Sequence, residues 1–198
     1  MTTQQGSVGE MVAQSRDIMA NPSVPAFERY EKRGSLGSAA IYVGIAAVAA
    51  GVLGLVASFF PGPPEPGFGG FLGGLLGALV QFFVFTGLVF FLGKSVAGGS
   101  GSWDEVAYTF ALFTAPLIVL GALLSLVVAA FAWIPLLGGL IGIAALLVSL
   151  AMLVLQIYYG YLAVQSSMNI RDQGRAILVL VLSFIGSAIG LWILSAIF

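Results

Sequence analysis

The chain has 198 residues, 8% of them charged and 60% hydrophobic, against roughly 25% charged in an ordinary soluble domain; so little polar surface cannot coat a water-soluble globule of this size. Seven basic and eight acidic side chains leave a formal net charge of -1, and there is no histidine and no cysteine. That composition excludes disulfides, thiolate or imidazole metal sites, histidine-ligated haem, thiol nucleophiles and imidazole acid-base chemistry, and it reads as a non-enzymatic, all-α integral membrane protein without a cofactor.

Residues 1–34 form a first unit, a segment with no hydrophobic run and with charges of both signs, so no cleavable signal peptide is expected. Ser7-Val8-Gly9-Glu10 has the spacing of a capping box. Val8, Met11, Val12, Ile18 and Met19 then recur near helical period until Asn21-Pro22. The segment reads as a short amphipathic helix lying on the cytoplasmic membrane surface, with a frayed tail as the alternative.

Residues 35–198 carry five apolar stretches of the roughly 20 residues needed to cross a hydrocarbon core about 30 Å thick. They run from about Ser35 to Phe60, Gly69 to Leu92, Val106 to Trp133, Leu140 to Val164 and Ala176 to Phe198, with no Lys, Arg, Asp or Glu in any interior. Strong breakers separate them: Pro61 to Gly67, Gly98 to Gly101, Ile134-Pro135 with Gly138-Gly139, and Ser166 to Arg175. The break at Pro135 is short and apolar. If it were only a kink, Val106 to Val164 would be one helix about 88 Å long, far beyond what a bilayer needs, so five crossings are expected.

Orientation follows from the basic residues, which are retained on the cytoplasmic side. Arg16, Arg29, Lys32 and Arg33 precede the first span, Lys94 follows the second, and Arg171 and Arg175 lie between the fourth and fifth. Five crossings put all seven on one face, with the N-terminus cytoplasmic and the C-terminus extracytoplasmic.

Within the spans, Gly69, Gly73 and Gly77, Gly138 with Gly142, and Gly186 with Gly190 have GxxxG spacing. Small residues at that spacing let helix backbones approach each other in lipid, either inside the bundle or against a second copy or a partner. Gly186 and Gly190 bear most on a partner, because the last helix is the one expected to keep a free face. Pro116 removes a backbone hydrogen bond inside the third span and bends it. Ser102-Trp103-Asp104-Glu105 begins that span with a second capping-box spacing; Asp104 and Glu105 read as helix-end acids, or more sharply as an ion or partner site. Gln81 and Gln156 are uncharged amides within spans two and four, read as hydrogen-bonding glue between helices or as a polar substrate site. Tyr158, Tyr159 and Tyr161 suit an interfacial aromatic belt. No phosphate loop, dinucleotide fingerprint or nucleic-acid motif is present.

The order of these features resembles the Yip1-domain family of five-span membrane proteins. Asn21-Pro22 followed by Ala26-Phe27 is similar to the segment before span one in prokaryotic members. Gly98 to Trp103 leading to Ala107-Tyr108 and Ala115-Pro116 resembles their glycine-rich loop and third span, and Tyr161, Val164, Gln165 and Gly174-Arg175-Ala176 resemble the fourth-span exit and the start of the fifth. Met168-Asn169-Ile170 departs from the histidine-glycine pair of many relatives, and the motif of eukaryotic Golgi members, which are linked to small GTPases and vesicle traffic, is missing. The resemblance, to prokaryotic members, implies a five-helix bundle with a cytoplasmic N-terminus in a bacterial plasma membrane. Membrane lipids are the first partners expected, then a membrane protein or a second copy, and no nucleic acid. The leading functional expectation is a scaffold or accessory subunit of a membrane assembly, with a small-molecule or lipid transporter and a membrane-shaping protein as alternatives. Without a carboxylate inside a span, ion-coupled transport is disfavoured.

Overall fold

A computed structural model describes residues 7–61 and 67–197, and only the backbone of 67–70, 73, 191 and 193–197. Among the described residues the chain is helical throughout: α1 (Val8–Ala20), α2 (Val24–Glu28), a 3-10 turn (Glu31–Arg33), α3 (Leu36–Ala57), α4 (Gly67–Ser95), α5 (Trp103–Phe131), α6 (Leu137–Ser167) and α7 (Gln173–Ile197). Five of these, α3 to α7, are long and apolar enough to cross a membrane.

Local chemistry places the ends. The Ser7 and Ser102 hydroxyls accept from the backbone N–H groups of Glu10 and Glu105, whose carboxylates accept from the serine N–H groups in return, so both capping boxes form. Ser35 caps α3 in the same way with Ser38. The break at Pro135 is real. Leu137 N–H bonds the Pro135 carbonyl at 2.8 Å, with Leu136 held at φ 66° and ψ -52°, a γ-turn of the strained hand. Gly138 then passes so close to Ala132 that an added Cβ would lie 2.6 Å from its carbonyl oxygen.

α5 is the axis of the bundle, packed by α3, α4 and α6, while α7 lies on α4 and α6. The loop after α4 meets the loop after α6 where Ser100 N–H bonds the Met168 carbonyl at 3.0 Å, and Leu36 N–H donates to Asp104 Oδ1 at 2.7 Å. These contacts gather the start of α3, the end of α4, the start of α5 and the end of α6 at one end of the bundle. All seven Lys and Arg residues lie there too, and it is called the basic end below.

Packing is uneven along the bundle. The buried residues of α3 run from Ser38 to Ala47, those of α5 from Val106 to Leu117, and those of α6 from Tyr159 to Ser167. The core therefore occupies the basic half, and the opposite halves of α3, α5 and α6 are loosely covered. The N-terminal unit accounts for this asymmetry, because Met11, Ile18 and Phe27 enter the same core cluster as the spans. Phe27 of α2 meets the Phe113 ring edge-on at 6.3 Å, and Phe113 also contacts Phe110 and Tyr159.

Candidate functional site

Two features of the fold can carry function, a polar joint under the N-terminal cap and a cleft at the opposite end.

The joint begins with α1. Its buried stripe is Met11, Gln14, Ser15 and Ile18, at i, i+3, i+4 and i+7. Val8 and Val12, read from the sequence as part of the apolar face, are exposed instead. The helix expected on the membrane surface thus turns its stripe into the protein, and two members of that stripe are polar. Buried polar groups need partners. Tyr108 Oη donates to Gln14 Oε1 at 2.8 Å, the Ser15 and Tyr42 hydroxyls bond at 3.0 Å, and Tyr159 Oη donates to the Met19 carbonyl at 3.3 Å. Tyr108 is fully buried, and its ring lies where a side chain on Gly34 would have to go. Gln14, Ser15, Tyr42 and Tyr108 were missed as site residues by sequence reasoning. The signal was two polar residues side by side between Met11 and Ile18, inside an apolar stripe.

The 3-10 turn adds a buried carboxylate. Glu31 is 4% exposed, and its Oε2 accepts from Ser166 Oγ at 2.7 Å. Desolvation raises its pKa above the ordinary 4.5, with the nearby Glu105 charge adding to the rise and the Ser166 bond opposing it. A carboxyl whose folded pKa is raised gives stability that is fully present below its unfolded pKa and is lost as pH rises through the folded value. Thermal unfolding in detergent from about pH 4 to about pH 8 is expected to show a Tm that falls with rising pH across this window. Glu31→Gln should flatten that component and raise the neutral-pH Tm, whereas an unchanged profile would remove Glu31 from the account. Nearby, Asp17 accepts from Tyr30 Oη at 2.7 Å and pairs with Arg29 at 3.1 Å. The pair is partly solvated, so it contributes little to stability.

The second feature is a cleft of about 710 Å³ between the end of α3 and the far halves of α5 and α6. It extends along the bundle from Phe60, Pro61 and Ala132 to Gly121 and Gln156, and is open enough that Ser149 and Gln156 are themselves exposed. The helical rise between Gly121 and Ala132 gives it a length of about 16 Å along α5. Its polar side chains are Ser58, Ser125, Ser149 and Gln156, and no charged residue lines it. Ser58 and Ser125 donate to their own helices, to the Leu55 and Gly121 carbonyls. The side chains of Ser149 and Gln156 make no hydrogen bond to any described residue. Its inner end at Gly121 lies about one turn beyond Pro116 on α5.

The remaining sequence-derived residues fall as follows. Asp104 bonds the start of α3 and Glu105 closes the α5 cap. Gln81 is exposed on α4 without a hydrogen-bond partner among the described residues. A Cβ at Gly186 would lie 3.1 Å from Leu88 and one at Gly190 3.9 Å from Val84, which places both at the α4–α7 contact. Gly77 and Gly142 have open space around them, and Gly138 serves the turn before α6. The surroundings of Gly69 and Gly73 lie outside the described residues. The tightest glycine contact falls outside the GxxxG spacing: an added Cβ at Gly101 would overlap the Ser167 carbonyl.

Five apolar helices in an antiparallel bundle, closed at one end by a docked helical cap, define a polytopic integral membrane protein. Within that class the chain belongs to the Yip1-domain family, whose domain model matches residues 16–197 and so takes in most of the cap together with every span. No curated protein and no solved structure matches it. Several of the residues that carried the resemblance lie at the basic end: Asn21 ends α1, Ala26 and Phe27 are buried, Gly101 abuts the α6 exit, and Tyr108 holds Gln14.

Proposed function

We propose that the protein is a non-enzymatic scaffold or accessory subunit of a membrane assembly, and that α6 is the helix through which it associates. The observation that carries this reading is the bare face of α6. Only 6% of its most apolar stretch is buried, against 17–28% in the other four spans. On that face Leu140, Ile143, Leu147, Leu150, Val154 and Ile157 are all more than half exposed. Their spacing alternates three and four residues, the seam by which two helices pack at about +20° with side chains interlocked. Lipid gives no hydrophobic drive for such pairing, so the support lies in the regular packing surface. The occupant of the seam is another transmembrane helix, in the simplest case α6 of a second copy.

The absence of cysteine in the chain makes this directly testable. Single cysteines at Leu147 or Leu150 are expected to form disulfide-linked dimers in native membranes under mild oxidation, and one at Ile185 on the exposed side of α7 is not. Equal yields at all three positions, or a lone monomer with no partner in mild detergent, would refute the association. We further place the basic end on the cytoplasmic side of a bacterial plasma membrane. A cysteine at Leu136 should then react with an impermeant maleimide applied from outside. The membrane-shaping reading has less support, because it needs a free apolar stripe on α1 and that stripe faces the bundle.

A further inference from the structure

We propose that the N-terminal cap is a proton-operated latch: it stays docked on the bundle while the Glu31 carboxyl holds a proton, and it comes away when that carboxyl ionises. The inference does not rest on the association of α6, because the latch lies at the basic end and uses none of the residues of the outward seam.

The joint shows why one group can command the cap. Among the described residues, four hydrogen bonds cross from the cap to the spans: Gln14 with Tyr108, Ser15 with Tyr42, the Met19 carbonyl with Tyr159, and Glu31 with Ser166. The first three join neutral groups. Glu31 is the member of the joint whose charge can change on the acid side of neutrality. It stands at the base of the cap, where only Gly34 and Ser35 separate the 3-10 turn from α3, so the cap can leave without carrying a span with it.

The surroundings disfavour an ionised Glu31 in the docked position. The residue is buried, and Ser166 Oγ is its hydrogen-bond partner across the joint. It makes no ion pair, since among the described residues the one ion pair joins Arg29 to Asp17. The charged groups that face it are Glu105 from α5 and Glu28 from α2, both of its own sign, with Lys32 of its own turn acting in the other direction. α6, which supplies Ser166, carries no charged residue. A buried carboxylate without a counter-charge either takes up a proton or moves to water. Burial holds the docked carboxyl above its ordinary 4.5, and release into water returns it to that range. Docking is therefore strongest below the ordinary value and weakens by up to about tenfold per pH unit, the effect of one proton, until the docked value is passed. Each neutral bond exchanges water for protein at a small net gain, so the charge is the larger lever. Release brings Met11, Ile18 and Phe27 out of the core and opens the joint around Tyr108.

The test is a pH series on the full chain in phosphatidylcholine nanodiscs, diluted with unlabelled copies, with spin labels on cysteines introduced at exposed positions. The pair Val12→Cys and Val96→Cys spans the joint, and the pair Val96→Cys and Leu136→Cys spans the bundle from end to end. The chain has no cysteine to compete for label and no histidine to titrate in the same range. From about pH 4.5 to about pH 7.5 the first distance is expected to pass from one narrow peak to a broad, longer distribution, while the second stays constant. Glu31→Gln, neutral at every pH and still able to accept from Ser166, should remain docked throughout. Glu105→Gln keeps a capping side chain for α5 but removes a like charge, so it should lessen the release at the upper pH. A cap that stays in place across the series, or a response unchanged in Glu31→Gln, would overturn the proposal. So would an end-to-end distance that moves with the cap, because the whole bundle would then be unfolding. If Glu31→Gln fails to fold, a response in Glu105→Gln as large as in the unaltered protein overturns it, and a smaller one supports it. Loss of the α6 disulfide dimer alone would leave the latch standing.

Discussion

Tyr108→Ala is expected to cost about 3–5 kcal/mol, the range for an aromatic truncated to alanine in a packed core, and to free the N-terminal cap from the bundle. Tyr108 is the largest fully buried side chain among the described residues, its ring fills the space beside Gly34, and its hydroxyl is the partner of buried Gln14. Truncation opens a cavity and leaves the Gln14 amide oxygen without its donor, and the two penalties fall on one joint. Tryptic cleavage in detergent should read this out, because Arg16 sits in α1 and Arg29 directly follows α2. Both should be cut faster in the variant, while Lys94, outside the joint, keeps its rate. Tyr108→Phe keeps the ring and removes only the bond, so a loss of about 1–3 kcal/mol is expected. If the two variants behave alike, the hydrogen bond rather than the packing holds the cap.

Gly101→Val is the second large effect. Any Cβ at this position overlaps the Ser167 carbonyl and comes within 3.1 Å of Met168 Cα. Backbone cannot yield as a flexible side chain does, so the loops after α4 and α6 must separate. Overpacking typically costs about 1–3 kcal/mol. Here the Ser100 to Met168 backbone bond is lost as well, and a buried carbonyl left unpaired costs about 1–3 kcal/mol more. The expected result is a sharp fall in monodisperse protein on size exclusion and in Tm. A control at Gly142, where an added Cβ meets nothing within 4 Å, should show neither. An undisturbed Gly101→Val protein would mean that the two loops do not meet as described.

Both predictions concern glycine and tyrosine positions whose importance is not visible in spacing alone. The GxxxG pattern drew attention to Gly77 and Gly142, which have open space, as well as to Gly186 and Gly190, which lie against α4. Spacing says which glycines share a helix face; it does not say whether another helix lies on that face. Gln81 and Gln156 read alike from the sequence, as amides inside apolar spans. Both are exposed, but Gln156 borders a cleft and Gln81 does not, a difference set by the separation of α5 from α6.

The sequence by itself determined the class of protein, the five spans, their breaks and the caps at Ser7 and Ser102. Each of these depends on neighbours a few residues away and on a bilayer of given thickness. Only the tertiary structure decided that α1 docks into the bundle, that Gln14 meets Tyr108 across 94 residues of chain, and that the far halves of α5 and α6 stand apart around a cleft. A hydropathy pattern states how much apolar surface a helix must hide. Lipid and protein can hide it equally well, and the choice between them is made by shape and hydrogen-bond partners brought together from distant parts of the chain.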